Sequence, residues 1–259
     1  MVLALPARAW RSAWLARPLA DGFHVIRFFC VRPGFAANIS SNLLLTALTS
    51  LNPRAPSRCE HCLRPATHCL CALIPRITAR TQLLVIQHPS EQRHALNTAR
   101  LLVAGLTSAH LLITETIDPA SPWHAALTDP QWQTELLFPG EDVPQVKAAE
   151  ADTRPRRLVL LDGTWRKARK LLYLNPILQG LPRVALPLGL HSRYRLRKAP
   201  KAGALSTLEA GVEALQLIEP GTDFAPLLRP FEALIEGQIE AMGESVYLAN
   251  YAAGRPRSG

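Results

Sequence analysis

The stretch that most limits what this chain can fold into is Arg157-Leu158-Val159-Leu160-Leu161-Asp162-Gly163-Thr164-Trp165, followed at once by Arg166-Lys167-Ala168-Arg169-Lys170. A short continuous apolar run that stops at Asp-Gly reads as a strand buried on both faces. A basic, helix-like stretch follows it. The turn between them therefore delivers Asp162 and Trp165 to the mouth of a site. Charge is gathered around this turn. Residues 154–201 hold thirteen Lys and Arg against a single acid, Asp162. Residues 58–153 hold seven bases and ten acids, and residues 202–259 three bases and eight acids. A basic surface of this kind holds polyanions through phosphate contacts and counterion release.

The rest of the chain supplies further strands and helices in alternation. Apolar runs at 81–87, 110–114, 135–138 and 183–186 join 157–161 as five strands. Helical spacing appears at 94–106, with Ser90 as its expected N-cap, and at 163–170, 206–218 and 226–242. Ser206 and Glu209 match a capping box. Residues 118–133 read as loop with a short helix, and the tail from Gly243 as frayed. Strands alternating with helices imply an α/β fold, a mainly parallel sheet flanked by helices. Ligands then sit where the carboxyl ends of the strands converge. Here these are His88-Pro89, Pro139-Gly140, Asp162-Gly163 and Pro187-Leu188-Gly189. With 259 residues, 48% of them hydrophobic, the chain can bury a sizeable core and is not of the disordered class. No apolar run reaches the roughly 18 residues of a transmembrane helix. No membrane association and no obligatory protein partner is expected, and nothing in the pattern specifies an oligomer.

Two segments stand apart. Residues 1–57 hold six Arg and one acid, Asp21, without clear periodicity. A targeting peptide, a basic arm and an extension from an early start codon all have this look, and the expected organisation is an extension (1–57), a functional domain (58–245) and a tail (246–259). The second is Cys59-Glu60-His61-Cys62 with Cys69-Leu70-Cys71, spaced C-x2-C-x6-C-x-C. Four thiolates in so short a span suit a closed, structural zinc site in a reducing cytoplasm, and His61 or His68 can replace one ligand. Four reduced thiols without metal are the plainer reading.

At Asp162-Gly163-Thr164-Trp165 the sequence resembles the DTW-domain family, named for its D-x-T-W signature. The cysteine cluster, His88-Pro89-Ser90-Glu91, Leu137-Phe138-Pro139-Gly140, and the segment from Ser192-Arg193-Tyr194-Arg195-Leu196-Arg197 to Leu205-Ser206-Thr207-Leu208-Glu209-Ala210 follow the same order as in that family. The resemblance covers roughly residues 58–242. Its bacterial members are tRNA-uridine aminocarboxypropyltransferases, which implies transfer of the 3-amino-3-carboxypropyl group of S-adenosylmethionine to N3 of a tRNA uridine, in the cytoplasm. It also implies a SPOUT-like fold with a C-terminal knot, which no strand pattern reveals. His88, Glu91, Leu137, Pro139, Gly140, Leu186 and Ser206 become expected neighbours of the S-adenosylmethionine pocket by that resemblance.

The residues fit such chemistry. N3 of uridine is a poor nucleophile while protonated, and Asp162 can take or orient that proton. Its basic neighbours favour the ionised form, which limits its strength as a base, and capping the following helix is an equally good account of an Asp there. Trp165 can stack on the uracil, wall off the pocket or pack in the core, and Thr164 can bond the substrate or the helix start. Asp162, Thr164 and Trp165 are the candidate catalytic residues. Arg166, Lys167, Arg169 and Lys170 on the helix, with Arg193, Tyr194, Arg195, Arg197 and Lys198 on the later loop, are the expected tRNA contacts. A noncatalytic zinc-containing RNA-binding protein and an RNA methyltransferase are the competing readings.

Overall fold

The computed structural model describes residues 57–148, 154–196 and 204–252. The extension, apart from Ser57, lies outside the described residues, as do Arg197 and Lys198. Five strands form one sheet: β1 (Gln82–Gln87), β2 (Ala109–Ile113), β3 (Gln133–Leu137), β4 (Arg156–Asp162) and β5 (Arg183–Val184). Their order is β2-β1-β4-β3-β5, and every pairing is parallel. The continuous apolar strands β1 and β4 lie side by side near the middle, where burial on both faces is greatest. Their register sets Gln87 beside Asp162 at the carboxyl end.

Helices α1 (Thr98–Ala104), α2 (Pro122–Thr128), α3 (Trp165–Leu174), α4 (Pro176–Gln179), α5 (Thr207–Ile218), α6 (Arg229–Met242) and α7 (Glu244–Tyr247) fill the connections. Because strand side chains alternate, Leu83, Val85, Leu158 and Leu160 face α1, α5 and α6, while Leu84, Ile86 and Val159 face α2, α3 and α4. Each fully buried Leu, Ile or Val here contributes about 1.5–3 kcal/mol. The α1–α5 packing is close. A Cβ on Gly211 would lie 2.5 Å from Leu102 Cδ2, so any larger residue there would force the buried Leu102 to shift. Among the described residues no helix is long and apolar enough to cross a membrane.

The structure corrects several expectations. The helix expected at 94–106 is α1 alone, and its N-cap is Asn97, whose side chain accepts from Arg100 N, and not Ser90. Pro89–Glu91 is instead a 3-10 turn in which the His88 ring accepts from Ser90 N. Strand β5 is shorter than 183–186. Ala185 instead exchanges backbone bonds with the 144–146 segment, and Pro187, two residues on, has no N–H to continue a ladder. Residues 244–252 are helical, ending in a π turn, with Tyr247 and Tyr251 stacked at 6.0 Å and packed on the core. The segment expected to fray from Gly243 is therefore ordered through residue 252, because these aromatics anchor it, and residues 253–259 lie outside the described residues.

Candidate active site and metal centre

Asp162 ends β4 with 9% of its surface exposed. Gln87 Nε2 donates to its Oδ2 at 2.7 Å, and the Thr207 hydroxyl donates to Oδ1. His88 N donates to its backbone carbonyl at 3.0 Å. Gln87 in turn exchanges side-chain bonds with Asn97, the α1 cap, at 3.1 and 3.4 Å. One polar chain thus runs Asn97–Gln87–Asp162–Thr207. It ties the starts of α1 and α5 to the carboxyl ends of the two central strands. These partners of Asp162 are neutral donors. The cap of α3 is not Asp162 but Thr164, which accepts from Lys167 N at 3.4 Å. Thr164→Ala is expected to cost about 1 kcal/mol of stability, read by thermal unfolding. Gly163 has φ of 155°, and a Cβ there would meet Lys167 Cβ at 3.0 Å. This turn therefore needs glycine.

Beside this chain lies a mainly apolar cavity of about 290 Å³. It is bounded by the carboxyl ends of β3, β4 and β5 and by the first turns of α3 and α5, with Leu137, Leu186 and Leu205 among its walls. Trp165, 40% exposed, stands edge-on to Phe138 at 6.0 Å and forms part of the rim. Its exposure rules out the core-packing reading. Leu188, 96% exposed on the loop after β5, lines the same mouth. The start of α5 carries a positive partial charge. Of the expected pocket residues, Leu137, Pro139, Leu186 and Ser206 line this cavity. His88, Glu91 and Gly140 do not. His88 is buried, with Nε2 2.7 Å from Glu115 Oε1, and Glu91 pairs with Lys167 at 2.6 Å. Asp162 is behind the wall rather than on it, between the lining residues Leu161, Gly163 and Thr207.

The basic stretch is redistributed by the fold. Arg156 and Arg157, at the start of β4, are buried structural groups: Arg156 pairs with Glu135, and Arg157 lies over Trp132 and bonds Gln82. Burial pushes the Arg157 guanidinium below its usual range. Lys167 pairs with Glu91, Lys170 with Glu115 at 3.0 Å, Arg193 with Glu232 at 2.8 Å, and Arg195 with Glu236. Tyr194, half-buried, packs edge-on against Phe231 at 5.4 Å. Arg166 and Arg169 remain exposed beside Trp165. Tyr173, 79% exposed on the same helix, is a further aromatic that no local motif marks. Glu209 does more than complete the capping box. Besides Ser206 N it accepts from Ser192 Oγ and Arg193 N, at 2.9 and 2.6 Å, and so fastens the basic loop to α5.

The four cysteines converge. Their sulfurs all lie within 4.8 Å of one another, with Cys59–Cys71 at 3.4 Å and Cys62–Cys69 at 3.8 Å. Zinc–sulfur bonds of about 2.3 Å give a tetrahedron with edges of about 3.8 Å, so the spacing fits one ion. None of the four is in a disulfide. Backbone N–H groups of Cys62 and His61 lower the Cys59 thiol, while burial and the neighbouring sulfurs push Cys71 up to about 12, so Cys59 is the first of that pair to offer the thiolate a metal binds. His61 and His68 stay outside the cluster.

The DTW domain family matches residues 56–239. The chain is similar to tRNA-uridine aminocarboxypropyltransferase 2 of Drosophila melanogaster, 30% identical over 204 residues that span 76% of this chain and 80% of that one. It is 31% identical to the Mus musculus protein of the same name over 189 residues, 70% of this chain and 63% of that one. It is 30% identical to tRNA-uridine aminocarboxypropyltransferase A of Arabidopsis thaliana over 195 residues, 62% and 72% of the two chains. No solved structure matches the chain.

Proposed function

The chain belongs to the DTW-domain family, and from that premise we propose that it is a tRNA-modifying transferase that moves the 3-amino-3-carboxypropyl group of S-adenosylmethionine onto N3 of a tRNA uridine. The observation that carries the reading is the small cavity at the carboxyl ends of β3, β4 and β5, set beside a buried carboxylate and rimmed by an exposed tryptophan. In open parallel sheets this is where small-molecule ligands bind. The apolar walls suit the adenosine of the donor, and the positive end of α5 suits its carboxylate. The donor supplies an activated carbon on a sulfonium. N3 forms a bond to that carbon as its bond to sulfur breaks, methylthioadenosine departs, and the N3 proton passes to solvent. Alignment of the two reactants contributes more to such a displacement than acid-base strength.

Within this reading Asp162 is a positioning residue. Its carboxylate oxygens are held by Gln87 and Thr207, so it keeps the first turn of α5 and the D-G-T-W turn in register. Trp165 is the surface for the uracil, with Arg166 and Arg169 beside it for phosphates. Base–aromatic stacking is worth about 1–3 kcal/mol, so Trp165→Ala is expected to lower kcat/KM for tRNA by about 5- to 150-fold. Unchanged steady-state kinetics would remove Trp165 from the site. The four cysteines hold a structural zinc. Residues 58–245 form the working domain, 1–57 an extension, and the place of action is the cytoplasm. The SPOUT-like knot belongs to the same proposal. The chain leaves β5 at one edge of the sheet and returns to Asp162 at its centre, a path on which a threaded crossing can form.

The cofactor product separates this reading from its competitors. Released methylthioadenosine supports it, S-adenosylhomocysteine would make the protein a methyltransferase, and tRNA binding without either would make it a binding protein.

A further inference from the structure

A larger cavity, about 670 Å³, lies apart from the one just described, between the cysteine turn, the 92–97 loop, α1 and α6. Arg58, Arg64, Arg93 and Arg100 line it, with His68 and His94, and none of its lining residues is an acid. The pairing that neutralises the bases near α3 and the 193–195 loop does not occur here. Among the described residues none of these four arginines has an ion-pair partner. Arg58 donates to the Leu63 carbonyl and Arg64 to those of His68 and Ala95, bonds that aim the guanidinium groups without cancelling their charge. Arg100 Nε is buried with no hydrogen-bond partner among the described residues. A buried, unsatisfied, charged donor is expensive, and Arg100 is among the residues that line this cavity.

Helix α6 is sorted to match. Its Glu232 and Glu236 point to Arg193 and Arg195, whereas it offers the cavity only neutral residues such as Gly237 and Gln238. A concave basic site with no internal counter-charge concentrates its field on an anion. The chain's own residues 1–56 are themselves net basic, with six Arg and one acid. The volume suits a stretch of polymer rather than one small ion.

We propose that this cavity is a second RNA-binding site, gripping backbone phosphates of the tRNA while the target uridine is held at the β3–β4–β5 mouth. The inference rests on the tRNA-modifying reading and adds where the substrate is held. It also gives the cysteine centre a task, since Arg64 bridges the cysteine turn to the 92–97 loop. Asn97 lines the cavity and bonds Gln87, the partner of Asp162, so a chain of side-chain bonds links this cavity to the residue behind the other one.

The test is tRNA binding by the full chain over a range of salt concentrations. The variants are Arg93→Glu, Arg93→Ala with Arg100→Ala, and Arg154→Ala as a control. Arg93 is exposed and makes no hydrogen bond among the described residues, so folding should survive its replacement. Arg154 precedes β4, at the opposite end of the sheet. Removing one phosphate-binding arginine should lower the slope of log K against log salt by about 0.7–0.9. The double variant should therefore bind about 10-fold or more weakly, with a slope reduced by up to about 2. S-adenosylmethionine affinity should not change. Wild-type affinity and slope in both Arg93 variants, or an equal weakening in Arg154→Ala, would overturn the proposal. If the wild type binds tRNA but releases no methylthioadenosine, the transferase reading fails while the variants still judge the cavity. If it binds no tRNA, both fail.

Discussion

Asp162→Ala is expected to lower transfer by about 100-fold, the loss that follows when reacting groups are misplaced by about 1 Å. Binding of tRNA should change little, because the side chain is buried behind the cavity wall. The variant strands the Gln87 amide and the Thr207 hydroxyl without their acceptor, at a cost of about 1–3 kcal/mol in stability. A general base and a positioning group make different predictions for the neighbours. If Asp162 positions, Thr207→Val, which keeps the shape and loses the donor, should reproduce about 10-fold of the loss. The pH profile of the residual activity should keep its form. If Asp162 is the base, Thr207→Val should be nearly silent and the acidic limb of the profile should vanish with Asp162. Full activity in Asp162→Ala would remove the whole polar chain from the mechanism.

The second large effect belongs to the cysteines. Purified protein should carry about one zinc per chain, and Cys69→Ser should release it. Structural zinc contributes an apparent 10–16 kcal/mol or so in small zinc-binding peptides at neutral pH, so removal should unfold the 58–73 region and lower the melting temperature markedly. Cys69 is the informative position because it is exposed. Were the cluster only four reduced thiols, a surface substitution there would change stability by no more than about 0.5 kcal/mol. A metal-free, equally stable preparation would decide for the thiols. Because Arg64 joins this turn to the 92–97 loop, loss of the metal should also weaken tRNA binding.

The parallel sheet was legible because the strands β1 and β4 are continuous apolar runs and the helices keep a 3.6-residue period. The place of Asp162 and Trp165 at the turn from β4 to α3 was legible because the apolar run stops at Asp-Gly and a basic helical stretch follows. Gln87 and Thr207 were not. Their role comes from the β1–β4 register and from the return of α5 to the centre of the sheet, bonds that join residues 75 and 45 positions apart in sequence. The only hint was a polar residue ending each of two apolar strands. The charge pattern misled for the same reason. Counting residues 154–201 as one basic surface ignored Glu91, Glu115, Glu135, Glu232 and Glu236, which fold back onto it. The arginines that line the larger cavity, none of them ion-paired among the described residues, come from short segments around Arg58, Arg64, Arg93 and Arg100 that no local window unites.

The most direct measurement is an incubation of the full chain with unmodified tRNA and S-adenosylmethionine, with nucleosides and cofactor products read by mass spectrometry. A uridine that gains an aminocarboxypropyl group, matched by released methylthioadenosine, is the predicted result. An unmodified tRNA, or a methylated one with S-adenosylhomocysteine, would contradict it.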